Sequence, residues 1–130
     1  MKYKAISENH LYGKAYARGK KVVGRYTVVY ILPDYTANKL MKAHPLKLKV
    51  NRIGLTVTKK IGNACVRSRV KRIIREAYRL TDRNYGIRTG YLIVIVARAA
   101  AVEMKTGDIE SDLVKAFDKF GLINVKTKND

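Results

Sequence analysis

KKIGNACVRSRVKRIIREAYR, residues 59–79, contains the strongest structural signal in this chain. At about 100° per residue, it predicts a helix over 65–80 with one apolar face and one basic face. The apolar face comprises Val66, Val70, Ile73, Ile74, Ala77 and Leu80. The basic face comprises Arg67, Lys71, Arg72, Arg75 and Arg79, with Arg69 at the boundary. Asn63 is the predicted N-cap. The helix is therefore expected to pack one face on a sheet and present the other to a partner.

The basic face indicates a polyanionic partner. The chain has 28 Lys and Arg against 10 Asp and Glu, a formal net charge of +18, and only Glu76 is acidic within 59–79. A helix face that served only solubility would mix signs at i, i+4 spacing. Arg67 and Lys71 also crowd the N-terminal half, where the helix dipole disfavours cations. These features favour a nucleic-acid backbone.

Composition excludes several other classes of protein. No apolar run approaches the roughly 20 residues that a membrane span needs, and a membrane-surface protein would need an amphipathic helix with exposed bulky apolar residues or a lipidation motif. MKYKAISENH at the N-terminus lacks the apolar segment of a secretory signal. Cys65 is the single cysteine, so no intramolecular disulfide forms. We therefore expect a cytoplasmic protein without a membrane partner.

The flanking residues predict an α/β fold in the order α-β-β-(β)-α-β-α. Ser7 begins a helix that ends at Gly19, and Pro33 stops a strand over 21–32. Further strands are predicted over 47–58 and, at mid-sheet, over 91–97. Residues 34–46 and 82–90 are predicted connections, and a helix over 108–120 ends at Gly121. The chain is expected to be a single domain, 1–130, with 122–130 a candidate flexible tail.

Residues 58–78, TKKIGNACVRSRVKRIIREAY, closely resemble the signature of the bacterial ribonuclease P protein component. That signature is roughly S-K-K-x-G-N-A-x-x-R-N-R-x-K-R-x-I-R-E-x-F, and the chain departs from it at Ser68 (usually Asn) and Tyr78 (usually Phe). The resemblance implies a mixed central sheet with helices packed on it and a left-handed β-α-β crossover, although general connection rules favour right-handed crossovers.

The resemblance also implies a function. Members of the family associate with a catalytic ribonuclease P RNA, which with Mg²⁺ removes the 5′ leader of precursor tRNA. The protein adds affinity for substrate and metal. No cofactor bound by the protein itself, no catalytic residue and no obligate protein partner are expected.

Two sets of binding residues follow from the resemblance. The contacts to the catalytic RNA are Lys59, Lys60, Asn63, Arg67, Ser68, Arg69, Lys71, Arg72 and Arg75. The contacts to the leader are Tyr12, Tyr16 and Tyr30, in a cleft between the first helix and the sheet, with Tyr26 added because strand alternation places it on the face of Tyr30. Without the resemblance, core packing is the favoured interpretation of these tyrosines, because aromatic residues at helical spacing usually pack.

Other functions stay open from the residues alone. The leading alternative is a structural RNA-binding protein of the ribosomal type, without a processing role. A DNA-binding regulator would place the basic helix in a major groove, but no helix-turn-helix pattern occurs. A protein nuclease needs carboxylates that converge on metal, and the four acids in residues 1–100 are scattered.

Overall fold

The computed structural model describes residues 3–6, 9–34 and 50–125. Within them the elements are β1 Tyr3–Ala5, α1 Asn9–Arg18, β2 Lys20–Val23, β3 Thr27–Pro33, β4 Asn51–Thr56, α2 Ala64–Tyr85, β5 Tyr91–Ala97, a 3₁₀ turn Ala99–Ala101 and α3 Thr106–Phe120. The predicted N-cap Ser7, most of the 34–46 connection and the end of the predicted tail lie outside the described residues. No helix in the described ranges is both long and apolar enough to span a membrane.

The strands form one mixed sheet in the order β1-β4-β5-β3-β2. β5 is parallel to β4 and antiparallel to β3, and β4 is also parallel to β1. The α/β fold class and the central position of the 91–97 strand are thereby confirmed. Helix α2 connects the parallel neighbours β4 and β5, which makes a β-α-β unit; its handedness stays a prediction.

The helices cover opposite faces of the sheet. Ile93 and Ile95 of β5 belong to the core formed with α2 and α3. Leu92 and Val94 belong to the smaller core formed with Leu11 of α1. The alternation of side chains along a strand explains this division, and it places the basic helix on one side of the sheet and the tyrosine-bearing helix on the other.

The prediction of one continuous strand over 21–32 is wrong, because these residues form a hairpin of two strands. β2 ends at Val23, and β3 begins at Thr27. Asp112 on α3 holds the turn: its carboxylate accepts hydrogen bonds from the backbone N–H groups of Arg25, Tyr26 and Thr27 at 3.0, 3.1 and 2.9 Å. A Cβ on Gly24 would lie 2.4 Å from Asp112 Oδ2, so only glycine lets the turn approach this closely.

The basic helix is longer than its pattern indicates. It continues through part of the predicted 82–90 loop to Tyr85 and ends at Gly86, whose φ of 68° is left-handed. The Asp82 carboxylate accepts the backbone N–H of Ile87 at 3.0 Å, which satisfies a donor just beyond the helix.

The chain after α3 also differs from the prediction. Gly121 ends α3 with a φ of 76°, as predicted. Leu122 and Ile123, the first residues of the candidate tail, are instead buried. The Leu122 carbonyl accepts the backbone N–H of Arg88 at 3.0 Å, so these two residues belong to the core.

Asn51 fixes where β5 begins. Its side chain is buried; Nδ2 donates to Tyr78 Oη at 3.1 Å and to the Arg88 carbonyl at 2.9 Å. Its Oδ1 accepts the backbone N–H of Tyr91 at 3.0 Å. Just beyond the other end of β5, the backbone N–H of Arg98 donates to the Tyr26 carbonyl at 2.9 Å. Polar contacts therefore hold both ends of this strand.

Candidate RNA interface

Helix α2 begins as its sequence predicts. Asn63 is the N-cap, and its Oδ1 accepts the backbone N–H of Val66 at 3.0 Å. Gly62, with a φ of 156°, brings the preceding turn against Val66, since a Cβ there would lie 2.9 Å from Val66 Cγ1. This turn carries Lys59 and Lys60, which are both exposed beside the helix start.

The two faces of α2 separate as predicted. Val70, Ile73, Ile74 and Ala77 are buried in the core. On the other side, Ser68, Arg72 and Arg75 are exposed, while Arg67, Arg69 and Lys71 are partly buried. Most of the predicted RNA-binding side chains are therefore gathered on one solvent-facing surface. In the folded chain the basic face is this surface, which excludes Arg69 and Arg79: Lys59, Lys60, Asn63, Arg67, Ser68, Lys71, Arg72 and Arg75.

Arg69 differs from its neighbours because its guanidinium is already engaged. Nη1 donates to the Val102 carbonyl at 2.6 Å, and Nη2 donates to the Met104 carbonyl at 3.2 Å. These carbonyls lie in the connection between the 3₁₀ turn and α3. Arg69 therefore braces this connection, and its predicted contact with RNA would compete with that role.

Arg67, unlike Arg69, has a donor atom without an acceptor in the described part of the chain. Its Nε is buried and has no hydrogen-bond partner among the described residues. An unsatisfied buried donor costs about 1–3 kcal/mol, more when the group is charged.

Arg79 is not a free cation of the basic face. It forms an ion pair with Glu76 one turn earlier, in which Nε donates to Oε2 at 3.0 Å. The hydrogen bond from Arg79 holds the pKa of Glu76 below its ordinary value. The one acid of the segment thus neutralises Arg79, and Lys71, Arg72 and Arg75 form no ion pair with another described residue.

Two of the predicted leader-binding tyrosines meet on the α1 side of the sheet. The rings of Tyr16 and Tyr30 pack edge to face with centroids 5.0 Å apart. The Tyr16 hydroxyl hydrogen-bonds to Thr56 Oγ1 at 2.6 Å, although Tyr16 remains 40% exposed. A large exposed aromatic ring held at both its edge and its hydroxyl is suited to stack with an unpaired base.

Tyr12 lies on the same helix, closer to the sheet edge. Its ring covers Gly54 of β4, where an added Cβ would lie 2.6 Å from Tyr12 Cε1. Burial raises the pKa of the Tyr12 hydroxyl, while a hydrogen bond with the Leu55 backbone opposes that shift. Tyr12, Tyr16, Tyr30 and Thr56 together are called the tyrosine face below.

Tyr26 does not join the tyrosine face. It precedes β3 and packs against the larger core, on the α2 and α3 side of the sheet. The prediction that Tyr26 shares the face of Tyr30 is therefore wrong. Its physical cause is the turn at 24–26, which interrupts the alternation that a continuous strand would have.

Sequence reasoning missed Thr56 and Gly54 as parts of the tyrosine face. Gly54 carried a usable signal, because glycine inside a strand often marks the close approach of another group. Thr56 carried none, since nothing in the sequence links it to Tyr16, 40 residues away.

Three of the four acids of α3 are occupied within the protein. Asp108 accepts the backbone N–H of Lys105 at 3.0 Å, Glu110 accepts Asn84 Nδ2 at 3.1 Å, and Asp112 holds the hairpin turn. Within residues 3–6, 9–34 and 50–125, no three His, Cys, Asp or Glu side chains converge as metal ligands would.

The fold and the two surfaces define the class: an α/β protein that binds RNA. The model of the Ribonuclease P family matches residues 1–121, and the chain belongs to that family. The chain is thus a protein subunit of ribonuclease P that works with ribonuclease P RNA in tRNA processing. The resemblance seen in residues 58–78 is confirmed, and the ribosomal-type alternative is set aside.

Relatives match over almost their whole length. The ribonuclease P protein component of Clostridium acetobutylicum is 36% identical and covers 99% of this chain and 98% of its own. That of Alkaliphilus oremlandii is 34% identical, with 92% of each chain covered. A solved structure of the Staphylococcus aureus RNase P protein is 27% identical, with a TM-score of 0.71 over 92% of this chain and 97% of that one. The Thermotoga maritima protein, at 20% identity and a TM-score of 0.66 over 86% of this chain and 93% of that one, shares the fold.

Proposed function

We propose that the basic face binds the catalytic RNA of ribonuclease P while the tyrosine face binds the 5′ leader of precursor tRNA. The chain thereby promotes endonucleolytic removal of the leader. One observation supports this division above the others: α2 and α1 lie on opposite faces of one sheet. Each surface can then hold its RNA without displacing the other.

The basic face would act through the phosphate backbone. Lys71 and Arg75 are four residues apart, which places their Cα atoms about 6 Å apart along the helix axis, close to the spacing of successive phosphates. Arg72 is exposed beside them. Arg67, partly buried on the same helix, adds a further positive charge. Binding of this kind releases counterions and weakens steeply with salt.

The tyrosine face would act through stacking. Tyr16 presents exposed ring surface, and its contacts with Tyr30 and Thr56 fix the ring before an RNA strand arrives. Stacking tolerates every base, since each has a π-face. The face therefore suits leaders of varied sequence.

Mg²⁺ enters this proposal through the RNA. The RNA subunit and its Mg²⁺ supply the phosphodiester hydrolysis. The chain's own residues place cations beside RNA phosphates, which lessens the repulsion that metal ions must otherwise screen. We expect the protein to lower the Mg²⁺ concentration that cleavage requires, and we place the reaction in the cytoplasm.

Reconstitution tests the proposal directly. The chain is combined with a bacterial ribonuclease P RNA at low Mg²⁺, and cleavage of a precursor tRNA at its 5′ end is measured. We expect the protein to raise the rate and to lower the Mg²⁺ requirement. An unchanged rate and unchanged Mg²⁺ dependence would refute the proposal.

Matched variants separate the two faces. Arg72→Ala should weaken binding of the ribonuclease P RNA and reduce the slope of log K against log salt by about 0.7–0.9 per lost phosphate contact. Arg83→Ala is the control, because Arg83 is exposed on the same helix, outside the family signature. Equal losses in the two variants would show that net charge alone matters.

Tyr16→Ala tests the tyrosine face. Loss of one stacked base costs about 1–3 kcal/mol, so binding of a substrate with a leader should weaken by roughly 5- to 150-fold. Binding of leaderless tRNA should be unchanged. Tyr16→Phe keeps the ring and is the control, with a small expected loss. Equal weakening with and without a leader would assign Tyr16 to the core.

A further inference from the structure

Strand β2 forms the edge of the sheet opposite β1, and no further strand lies beyond it in the part of the chain that the structure describes. The Gly24 N–H donates to the Thr27 carbonyl at 2.7 Å, so these two residues are a hydrogen-bonded pair. Such pairs alternate with non-hydrogen-bonded pairs along an antiparallel ladder. In the observed register, the backbone groups of Val22 therefore face β3, whereas those of Lys21 and Val23 point away from the sheet.

Both ends of β2 are fixed by the rest of the chain. Helix α1 runs into β2 through Gly19, where an added Cβ would lie 2.5 Å from a carbonyl oxygen of α1 and 3.0 Å from that of Ile31. At the other end, Arg98 Nη1 donates to the Gly24 carbonyl at 2.6 Å, and Asp112 holds the turn that follows. An extended segment that binds at this edge therefore meets a strand that is already in place, which lowers the ordering cost of binding.

The side chains around this edge carry positive charge. Residues 9–33 contain five Lys and Arg and no Asp or Glu. Lys20 and Lys21 are exposed on opposite faces of β2, and neither forms an ion pair with another described residue. Lysines on an edge strand discourage pairing between copies of one chain, and they attract a partner of negative charge.

Val23 does not fit a purely protective role for this edge. It is 58% exposed, the most of any large apolar side chain in the described ranges. Its neighbour across the ladder is Val28, whose own neighbour is Val96, and both are partly buried. A row of three aliphatic side chains thus crosses the sheet and reaches the open edge. Valine has no flat ring on which a base could stack, so the row favours an aliphatic side chain of a protein over a nucleobase.

We propose that β2 binds an extended acidic segment of a partner protein, which adds to the five-stranded sheet as a further strand. In this mode of binding, backbone hydrogen bonds supply affinity and alternate side chains supply specificity. The matching segment has two consecutive carboxylates, beside Lys20 and Lys21, and an aliphatic residue beside Val23. A second copy of this chain fits poorly, because β2–β2 pairing would bring the lysines of both copies together.

A peptide titration of the full chain tests the proposal. The probe is Thr-Val-Ile-Glu-Glu-Thr, blocked at both ends, which matches β2 when it runs antiparallel. Its control carries a methyl group on the valine nitrogen, which removes one donor that would reach β2. We expect binding at roughly millimolar concentration, because a short peptide must be ordered as it binds.

Hydrogen exchange followed by NMR reports which backbone groups the probe contacts. The N–H groups of Lys21 and Val23 should exchange about tenfold more slowly at a probe concentration ten times its Kd, as mass action requires. The N–H of Val22 faces β3 and should change little. No slowing at Lys21 and Val23, or equal slowing by the methylated control, would overturn the proposal.

Two variants give an independent measurement. Val23→Pro removes an outward N–H without removing a bond to β3, so it should abolish probe binding and keep the unfolding temperature, whereas Val22→Pro should lower that temperature. Unchanged probe binding by folded Val23→Pro would overturn the proposal. If Val23→Pro does not fold, an exchange of charge decides. Lys20→Glu combined with Lys21→Glu should weaken probe binding about fivefold or more, and a probe with Lys-Lys in place of Glu-Glu should restore it. Failure of this exchange would also overturn the proposal.

Other occupants of this edge give different results. If single-stranded oligo-uridine moves the amide signals of Lys21 and Val23 at lower concentration than the acidic probe does, the edge belongs to nucleic acid and the proposal is overturned. Self-association of the chain that Val23→Pro abolishes would assign the edge to a second copy, with the same consequence. The peptide titration contains no RNA, so its failure is distinct from failure of the leader-dependence test on Tyr16.

Discussion

Replacement of Asp112 by alanine removes the group that ties α3 to the β2–β3 turn. Asp112 is 7% exposed, and its carboxylate accepts four hydrogen bonds: the backbone N–H groups of Arg25, Tyr26 and Thr27, and the Thr27 hydroxyl at 2.7 Å. The variant leaves all four donors without their acceptor.

The expected loss follows from which of these donors water can reach. Thr27 is 1% exposed, so its N–H and hydroxyl stay dry, whereas the N–H groups of Arg25 and Tyr26 are only partly buried. Each buried unsatisfied donor costs about 1–3 kcal/mol. Two such donors give about 2–6 kcal/mol, and relief from burying the carboxylate reduces this. We therefore expect Asp112→Ala to lower the free energy of unfolding by about 3 kcal/mol.

Equilibrium urea unfolding followed by circular dichroism measures this loss. Asp108→Ala is the control, because Asp108 is exposed and accepts one backbone hydrogen bond at the start of the same helix; it should cost about 1 kcal/mol or less. The m-value should be the same in both variants. A loss under about 1 kcal/mol for Asp112→Ala, or one no larger than the control's, would refute the reasoning.

Three further predictions concern other positions. Gly54→Ala should destabilise the fold by about 1–3 kcal/mol, because the new Cβ collides with the Tyr12 ring; a urea midpoint equal to that of the unaltered chain would contradict this. Arg69→Ala should lower the unfolding temperature measured by thermal melts, because it removes the contacts with the Val102 and Met104 carbonyls. Arg72→Ala should leave the unfolding temperature unchanged and weaken RNA binding measured by filter binding. A lower unfolding temperature for Arg72→Ala and an unchanged one for Arg69→Ala would contradict the assigned contacts. Burial raises the pKa of Tyr78 above its ordinary value of 10.0, so the folded chain favours the neutral phenol. This preference contributes fully to the free energy of unfolding below pH 10, and the contribution is lost as the pH rises above 10. Tyr78→Phe should flatten the decline in unfolding free energy between pH 9 and about 11, and parallel pH profiles for the two proteins would argue against it.

Local sequence was sufficient where one segment determines its own structure. The run YLIVIVA has the bounds predicted for β5, because seven apolar residues between two loops can only be buried on both faces. The amphipathic pattern of α2 and its Asn63 cap were equally explicit. The family signature lies in this same helix, which is why the basic face could be assigned in advance.

Long-range contacts account for the errors. The hairpin turn depends on Asp112, which is 85 residues from Thr27 along the chain, and the sequence around 24–26 contains only one glycine as a hint. The misplacement of Tyr26 follows from that same turn. The last turn of α2 is stabilised by the contact of Asn84 with Glu110, 26 residues away, so the pattern at 82–85 resembled a loop.

Some features of the candidate site could be predicted from the sequence and others could not. Tyr12, Tyr16 and Tyr30 could be selected only through the family resemblance, because aromatic residues at these spacings commonly fill a core. The engagement of Arg69 was hidden for a different reason. Its acceptors are backbone carbonyls, and no side-chain pattern reveals where a carbonyl points.

β5 is apolar on both of its sides, so hydrophobicity alone would tolerate a slip of this strand by one residue. Such a slip would exchange which side chains face α1 and which face α2. Asn51 and the Arg98 backbone oppose it, because Asn51 bonds the backbone N–H of Tyr91 at one end of the strand and the Arg98 N–H bonds the Tyr26 carbonyl at the other. A one-residue insertion within 91–97 should therefore be far more damaging than a similar insertion in the 86–90 loop, even if the inserted residue is valine. In this fold, a few polar anchors constrain the length of the central strand more than its apolar composition does.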